Sequence, residues 1–532
     1  MPRFAVIVVS FDEESPLSPG ELYTKILTKE PTPISSTLSF YKETLKLEKV
    51  SLFKSCCSGQ THFVVALTQL PSDAAPQAPE EFVVSSQPHT MRIADTGLLP
   101  DECFAAVEIS LDPASDPARP VLTLTRDPIG RKSLMYASLS DNAFVATSGP
   151  AADGTLAWTE AHPRFKTAVS VSPTSVNVEE LPGDFPTLSS WYGERAPTDP
   201  AQPSPTENEM AQRVEGYVDP LIKALEASVQ REAVAPLLTN FPEERKIAVL
   251  FSGGLDSTVL AAVVDRCLPP EYTIELVNVA FTSSSTGGRN KTKDMYTAID
   301  KVPDRIAGLK SLEDLRAAST TSPPRNWVFV PVDVTEEEAN SELQRILGLA
   351  RPRDTYMDVT IGLPIWFAGR GIGSTGATSS AHVLVVGQGA DEQFAGYTRY
   401  RSAFNSDGVE GMQRELNTDM ERLWSRNLGR DDRILTDRGR LCALPFLSRQ
   451  FVSFLNSIPL DCICDLSRPQ GVGDKLLLRM AAKRLGLEHA SKLAKKAIQF
   501  GSRVAKLFKM EGVTSKQARS CGAAKFERKD DD

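Results

Sequence analysis

Apolar and polar positions change regime once along the chain. Up to about residue 190, apolar residues come in strand-length runs, HFVVAL (62–67), EFVVSS (81–86), CFAAVEISL (103–111) and PVLTLTRD (120–127), punctuated by Pro, Asp, Ser and Gly. This region reads as β-rich, with PGELYTKILTK (19–29) as its best helix. From Lys246 the pattern becomes strand, loop, helix. KIAVLF (246–251) is a continuous apolar run, as a strand buried on both faces requires. SGGLDS and the apolar helix TVLAAVVDRCL (258–268) follow it. Further strands are predicted over ELVNVAF (275–281), NWVFVPVDV (326–334) and HVLVVG (382–387). The layout is α/β, a doubly wound, mostly parallel sheet with ligands expected at the carboxyl ends of its strands.

Between the two regimes, PTDPAQPSPTENE (197–209) carries four prolines and no aliphatic side chain larger than alanine, the composition of a linker. A helix is predicted over 219–234, with Leu221, Ile222, Leu225 and Val229 as its stripe and Pro220 at an early, favourable position. TSSSTGGRNKT (282–292) reads as a mobile loop, and the charged end of the chain as disordered. The expected organisation is a β-rich domain over 1–190, a linker over 191–215, an α/β domain over 216–510 and a tail over 511–532.

With 41% hydrophobic and 24% charged residues, the composition is that of a soluble globular protein. A formal net charge of -9 argues against nonspecific nucleic-acid binding, so no such partner is expected. Eight scattered cysteines and five scattered histidines form neither a disulfide framework nor a zinc site, and Cys462 and Cys464 read as reduced thiols. The run Phe4 to Val9 is too short, and too soon followed by acids, for a signal peptide. No stretch has the length of a transmembrane span, so no membrane partner is expected and a cytoplasmic location follows by default.

Two loops carry the candidate chemistry. Ser252-Gly253-Gly254-Leu255-Asp256-Ser257 lies between a buried strand and a helix. The glycines let backbone approach an anion, the helix N-terminus offers unpaired N–H groups, and Ser252 and Ser257 add hydroxyls. Asp256 would repel phosphate on its own but suits Mg²⁺ bridging carboxylate and phosphate oxygens. A tight strand–helix turn with an Asp-Ser cap is the plainer reading. The second loop, Gly387-Gln388-Gly389-Ala390-Asp391-Glu392, follows the strand HVLVV, and Asp391 is placed to share the metal with Asp256. Alone it would read as an acidic turn; with SGGLDS it is specific.

SGGLDS is not a Walker loop and resembles the pyrophosphate loop of N-type ATP pyrophosphatases, an adenine nucleotide alpha hydrolase-like fold. With the second loop it resembles the synthetase domain of glutamine-dependent asparagine synthetases. RNLGRDDR (426–433), LPFLS (444–448) and GDKLLLRMAAKRLG (473–486) resemble that family's later segments. VPDRIAG (302–308), RNWVFV (325–330), GLPIWFAGRGIG (362–373) and KKAIQFGSR (495–503) resemble its asparagine synthetase domain-containing subgroup. The likeness covers roughly residues 246–505. It implies that ATP adenylates a carboxylate, nominally that of aspartate, releasing pyrophosphate, and that ammonia then displaces AMP. It implies that Ser252, Gly253, Gly254, Asp256 and Ser257 hold the phosphates, that Asp256 and Asp391 hold Mg²⁺, that Val279 lines the adenine slot and that Gly387 supplies backbone near the nucleotide.

Three positions depart from the family. Its GEG glutamate is Gln388, which cannot take a proton from ammonia. Its substrate arginine has no counterpart in Asp358-Val359-Thr360-Ile361-Gly362-Leu363. Its late lysine falls at Ala497, with Lys495 or Lys496 as substitutes or as a solvated turn; Lys496 is taken as the catalytic candidate. In the first region, Leu124 to Tyr136 resembles the Arg-Asp-Pro stretch of class II glutamine amidotransferases, implying an αββα fold of the Ntn-hydrolase kind in which Arg126 and Asp127 are structural. Pro2 stands where the glutaminase needs cysteine, so free ammonia and no glutaminase activity are expected.

The leading expectation is an AMP-forming, asparagine-synthetase-like ligase using ATP and Mg²⁺, with a homodimer as a possible assembly. The alternatives are an adenylating enzyme with a different carboxylate and an ATP-binding scaffold without turnover. RNA thiolation is disfavoured by the acidic balance and the lack of a CxxC pair.

Overall fold

The computed structural model describes residues 207–282 and 299–507 almost without a break and, before them, mainly strands and their flanks between residues 4 and 196. The readings made for 19–29, Asp127, 197–206, most of 282–292 and 511–532 lie outside the described residues.

The chain divides into two compact units. The first gathers Met1–Thr187 with two later pieces, Leu347–Arg353 and Leu423–Arg433. Its strands are β1 (Phe4–Phe11), β2 (Lys49–Cys57), β3 (Gln60–Thr68), β4 (Glu80–Val84), β5 (His89–Asp95), β6 (Ala105–Leu111), β7 (Val121–Arg126), β8 (Met135–Ser140), β9 (Ala143–Thr147), β10 (Thr159–Glu160), β11 (Phe165–Val171) and β12 (Val176–Pro182). They form two sheets, ordered β10-β8-β9-β1-β3-β2-β4 and β12-β11-β7-β6-β5. All pairings are antiparallel among the described residues except that of β2 with β4. Val6, Val8, Phe144 and Ala146 of the first sheet share a core with Val107, Leu122, Leu124 and Val169 of the second, so the sheets pack face to face.

A largely buried ionic network lies within this unit. Arg126 donates to Glu160 at 3.1 Å and to the Ala161 carbonyl at 3.0 Å. Arg433 donates to the same Glu160 oxygen at 3.2 Å and to the Ser133 hydroxyl at 2.6 Å. Asp432 accepts the Ser133 backbone N–H at 3.0 Å, with the Lys132 ammonium 3.6 Å away. A Cβ on Gly429 would fall 1.6 Å from Glu160, so a side chain there would expel the carboxylate. Arg126 thus has a structural setting, and so has the 426–433 segment that the sequence tied to synthetase chemistry.

The second unit is built on five parallel strands. They are β13 (Lys246–Leu250), β14 (Thr273–Thr282), β15 (Asn326–Thr335), β16 (Val383–Val385) and β17 (Leu441–Ala443), in the order β15-β14-β13-β16-β17. The chain steps outward from β13 to β15, then crosses back to lay β16 on the other side of β13. The order reverses between β13 and β16, and there the loops leaving the two strands separate and open a crevice. Four of these strands are legible as apolar runs. The fifth, of three residues, is too short to carry a period. Pro331 sits in β15, where an edge strand tolerates the missing N–H.

Three helices belong to this part of the unit: α1 (Glu207–Val229), which packs on α2 (Leu255–Cys267), and α3 (Pro303–Ala318), which with α2 lines the crevice. The first corrects the sequence reading. It begins inside the stretch assigned to the linker, and Pro220 lies in its interior rather than its first turn. The reason is tertiary: Val214 and Val218 extend the buried stripe of Leu221, Ile222, Leu225 and Val229 by two turns, and their burial outweighs the backbone bond lost at proline. α2 is apolar nearly all round because it is enclosed on nearly all sides.

Its C-terminus is held by Arg325. That enclosed guanidinium pairs with Asp265 and donates to the carbonyls of Asp265 at 2.8 Å, Leu268 at 2.9 Å and Tyr272 at 2.9 Å. A lysine cannot reproduce this fork. Arg325→Lys is expected to lower stability by about 2 kcal/mol, read as a shift of the urea midpoint. An unchanged midpoint would refute the cap.

Among the described residues no helix is long and apolar enough to cross a membrane, and no cluster of three or more His, Cys, Asp or Glu residues could hold a metal. Cys464 is buried, and burial pushes its thiol up to about 12, the setting of an unreactive thiol.

Candidate active site

The loop after β13 has its shape imposed on it. Gly253 adopts φ +74, and a Cβ there would fall 2.2 Å from the backbone nitrogen of Gly308 in α3. Two glycines in contact therefore let α3 slide beneath the loop. Ser311 donates to the Gly253 carbonyl at 2.8 Å. Enclosed Asn278 donates to the carbonyls of Phe251 at 2.8 Å and Asp304 at 2.9 Å, tying the loop to the start of α3. The Ser252 hydroxyl accepts the Gly254 N–H at 3.2 Å, and Ser257 donates to the Gly254 carbonyl at 3.2 Å. Gly254 caps α2 and Asp256 occupies its first turn.

The loop after β16 meets it. Gly387 has no side chain, and a Cβ there would sit 3.5 Å from that of Asp256. Gly389 turns the chain at φ +90 against Leu447. Gln393 fixes the turn by donating to the carbonyls of Gly389 at 3.0 Å and Phe446 at 2.6 Å. Asp391 projects from the single turn Ala390–Gln393.

The two acids share a cation supplied by the protein. Lys475 lies in the left-handed region at φ +55, just before the helix Leu476–Arg484. Its ammonium stands 2.6 Å from both oxygens of Asp256 and 2.6 Å from Oδ1 of Asp391. Lys495 pairs with the other Asp391 oxygen and lies 5.6 Å from the centre of the Tyr397 ring. A Cβ on Gly396 would fall 2.1 Å from Asp391 Oδ1 and 2.4 Å from Lys475 Cε, so glycine is needed to close the cluster.

Burial would raise the Asp391 carboxyl, but the Lys475 and Lys495 ammonium groups hold it well below the usual carboxylate range. Burial would likewise lower Lys475, but Asp256 and Asp391 hold it above the ordinary lysine value. Glu392 moves the other way, raised by burial and then by the charge of Asp391, and it accepts the Tyr397 hydroxyl at 3.0 Å.

A cavity of about 220 Å³ opens on the cluster. Its walls include Ser252, Gly254, Asp256, Lys475, Lys495 and Lys496, with Asp304 and Arg479. Glycine backbone, hydroxyls and four cationic side chains around so small a space suit a polyphosphate. The donor set also fits Mg²⁺: two convergent carboxylates, Asp256 and Asp391, leave the remaining positions to phosphate oxygens and water. A wider cleft of about 760 Å³ lies at the other end of the strands, lined in part by Lys246, Thr273, Asn326 and His382, away from both loops.

Of the residues singled out from sequence, Ser252, Gly254 and Asp256 line the cavity, Gly253, Ser257 and Gly387 support them, and Asp391 joins through Lys475. Lys496 lines the cavity, as does Lys495, and it is Lys495 that is bonded to Asp391. Val279 is buried within β14 and is not among the cavity-lining residues. Lys475, Arg479 and Asp304 were not singled out. The first two belong to the Lys-x-x-Leu-Arg segment that resembled the family, and Asp304 to VPDRIAG. Those motifs were the available signal, but a lysine heading an apolar helix is usually solvated. The segment Asp358 to Leu363 lies in the helix Tyr356–Arg370 and, as its sequence requires, brings no arginine.

Residues 224–411, which contain both loops, match the family model for asparagine synthase. The chain carries an asparagine synthase domain. Over 357 residues it is 39% identical to asparagine synthetase domain-containing protein 1 of Homo sapiens, covering 60% of this chain and 55% of that protein. The Gallus gallus protein of the same name is 42% identical over 319 residues, 54% of this chain and 49% of the other. An asparagine synthetase domain-containing protein of Drosophila melanogaster is 41% identical over 267 residues, 49% and 45% of the two chains. The chain thus matches about half the length of these relatives. The matched residues lie almost wholly within the α/β unit and include both acidic loops, and the α/β fold expected from sequence is the one observed.

Proposed function

We propose that the asparagine synthase domain activates a carboxylate with ATP, forming an acyl-adenylate and pyrophosphate, and passes the acyl group to ammonia. The observation that carries this reading is the convergence of Asp256 and Asp391 on one ammonium at the mouth of a small cationic cavity. The cavity is of a size for the two phosphates that leave. Ser252, the Gly254 backbone and Lys475 would hold them, and Lys495 and Lys496 would neutralise the charge that develops as the bond to the α-phosphorus breaks. Mg²⁺, when bound by Asp256 and Asp391, would supply further neutralisation of the phosphates.

Aspartate is the nominal acceptor by family. Gln388 cannot serve as a base, and the segment Asp358 to Leu363 carries no cation for a second carboxylate, which favours an acceptor other than aspartate or a slow second half-reaction. The test is exchange of labelled pyrophosphate into ATP with the full chain, Mg²⁺ and a panel of amino and organic acids. One acid is expected to stimulate exchange and to yield its amide when ammonium is added. Exchange that no acid stimulates would remove the reading.

A further inference from the structure

Asp304 is the acid in the cavity that the proposed chemistry leaves unused. It stands in the first turn of α3, 8% exposed, and lines the cavity beside Ser252, Lys495 and Lys496. Its backbone carbonyl is engaged by Asn278, but its carboxyl has no hydrogen bond or ion pair among the described residues. It is also boxed in: a Cβ on Gly501 would fall 2.0 Å from Oδ1. The neighbouring guanidinium, Arg305, turns away to Asn278 at 2.8 Å and Asp333 at 2.6 Å. The charged groups facing Asp304 are Lys495 and Lys496 from the segment before the helix Ile498–Gly501, with Asp256, Lys475 and Arg479 on the other walls. A buried carboxylate beside phosphate would be a like charge within a few ångströms; a neutral carboxylic acid there is a hydrogen-bond donor.

Resting on the adenylation reading, we propose that Asp304 binds the phosphate tail as a neutral acid, donating its proton in a hydrogen bond to a phosphate oxygen of ATP and then of the leaving pyrophosphate. No bond in the nucleotide depends on this proton; it stays shared between carboxyl and phosphate, and returns to solvent with or after pyrophosphate. The empty-handed carboxyl supports the assignment. Burial raises it to about 7 despite the opposing Lys496 and Lys495, so near neutrality it exchanges its proton readily, and phosphate charge would raise it further. Above that value, each binding event must take up one proton from solution.

The experiment is calorimetric titration of the full chain with pyrophosphate and Mg²⁺ between pH 7 and 9, in HEPES and in Tris to count protons. Wild type is expected to take up close to one proton more than pyrophosphate's own titration accounts for at pH 8. Its affinity is expected to fall, relative to Asp304→Asn, by about tenfold per pH unit in the upper half of the range. The asparagine variant is always neutral, is the same size and keeps an N–H donor, so its curve should follow pyrophosphate alone. Wild type with no extra proton uptake, or two parallel pH curves, would overturn the role of Asp304 and leave adenylation standing. Absence of pyrophosphate binding to either protein at every pH would overturn both.

Discussion

Asp256→Ala is expected to abolish acid-stimulated pyrophosphate exchange, by about 10³-fold or more. The carboxylate sits in the first turn of α2, where the loop after β13 aims it at the cavity, and it is bonded through both oxygens to Lys475. Its removal takes away one of the two acids proposed to hold Mg²⁺ and leaves Lys475 with Asp391 alone. A metal's contribution to stabilising transferring phosphoryl charge is several kcal/mol, and about 1.4 kcal/mol is a factor of ten in rate. The fold should survive, because Asp256 keeps 18% of its side chain exposed and Lys475 retains Asp391. Asp407→Ala provides the comparison: that acid is well exposed, 2.8 Å from Arg414 on the surface, and its loss should leave exchange unchanged. Exchange by Asp256→Ala at the wild-type rate would mean that the two loops do not handle ATP, whatever their likeness to a family.

Lys475→Met should have the largest effect on stability, about 3–5 kcal/mol, seen as a lower urea midpoint. The ammonium is 2% exposed and neutralises two carboxylates at once. Methionine fills the space and leaves Asp256 without its cation and Asp391 with Lys495 alone, the two carboxylates in a site largely shielded from water. The pH dependence follows from the direction of each shift. Asp391 is depressed, so its contribution is present above the ordinary carboxylate value and is lost as pH falls through the lower folded value. Lys475 is raised, so its contribution is complete below the ordinary lysine value and is lost only as pH rises through the higher folded one. The penalty should therefore be level from about pH 5 to about pH 9 and shrink towards acid, where Asp391 takes up a proton. Adding Asp391→Asn should recover part of the loss, since one of the two repelling charges is gone. A Lys475→Met protein as stable as wild type would show that the ion triad is not a buried feature of the folded chain.

Much of the second unit was legible because the signals that specify it are local. A parallel strand covered on both faces reads as an unbroken apolar run, and SGGLDS between such a run and an apolar helix already carries its geometry: one glycine for the left-handed turn, the next for the helix cap, aspartate in the first helical turn. The first unit was legible as β-rich for the same reason. What failed was also local reasoning. Pro220 and the prolines before it argued for a late helix start, and the burial of Val214 and Val218 against the rest of the unit overrode them. Segment 426–433 reads as part of the synthetase region, yet Asp432 and Arg433 bond to Ser133 and Glu160, some 300 and 270 residues earlier in the chain.

By itself the sequence determined the alternation of strand and helix and the two acidic loops, because each of these depends on residues within a few positions of one another. Only the tertiary structure decided that Lys475 closes the pair of acids, that Lys495 rather than Lys496 reaches Asp391, and that Asp304, in the same cavity, is unpaired among the described residues. Those outcomes depend on how far apart segments separated by up to about two hundred residues lie, and on which way each side chain leaves its backbone. Pattern along a chain does not carry distance or direction in space; the packing of strands and helices supplies both.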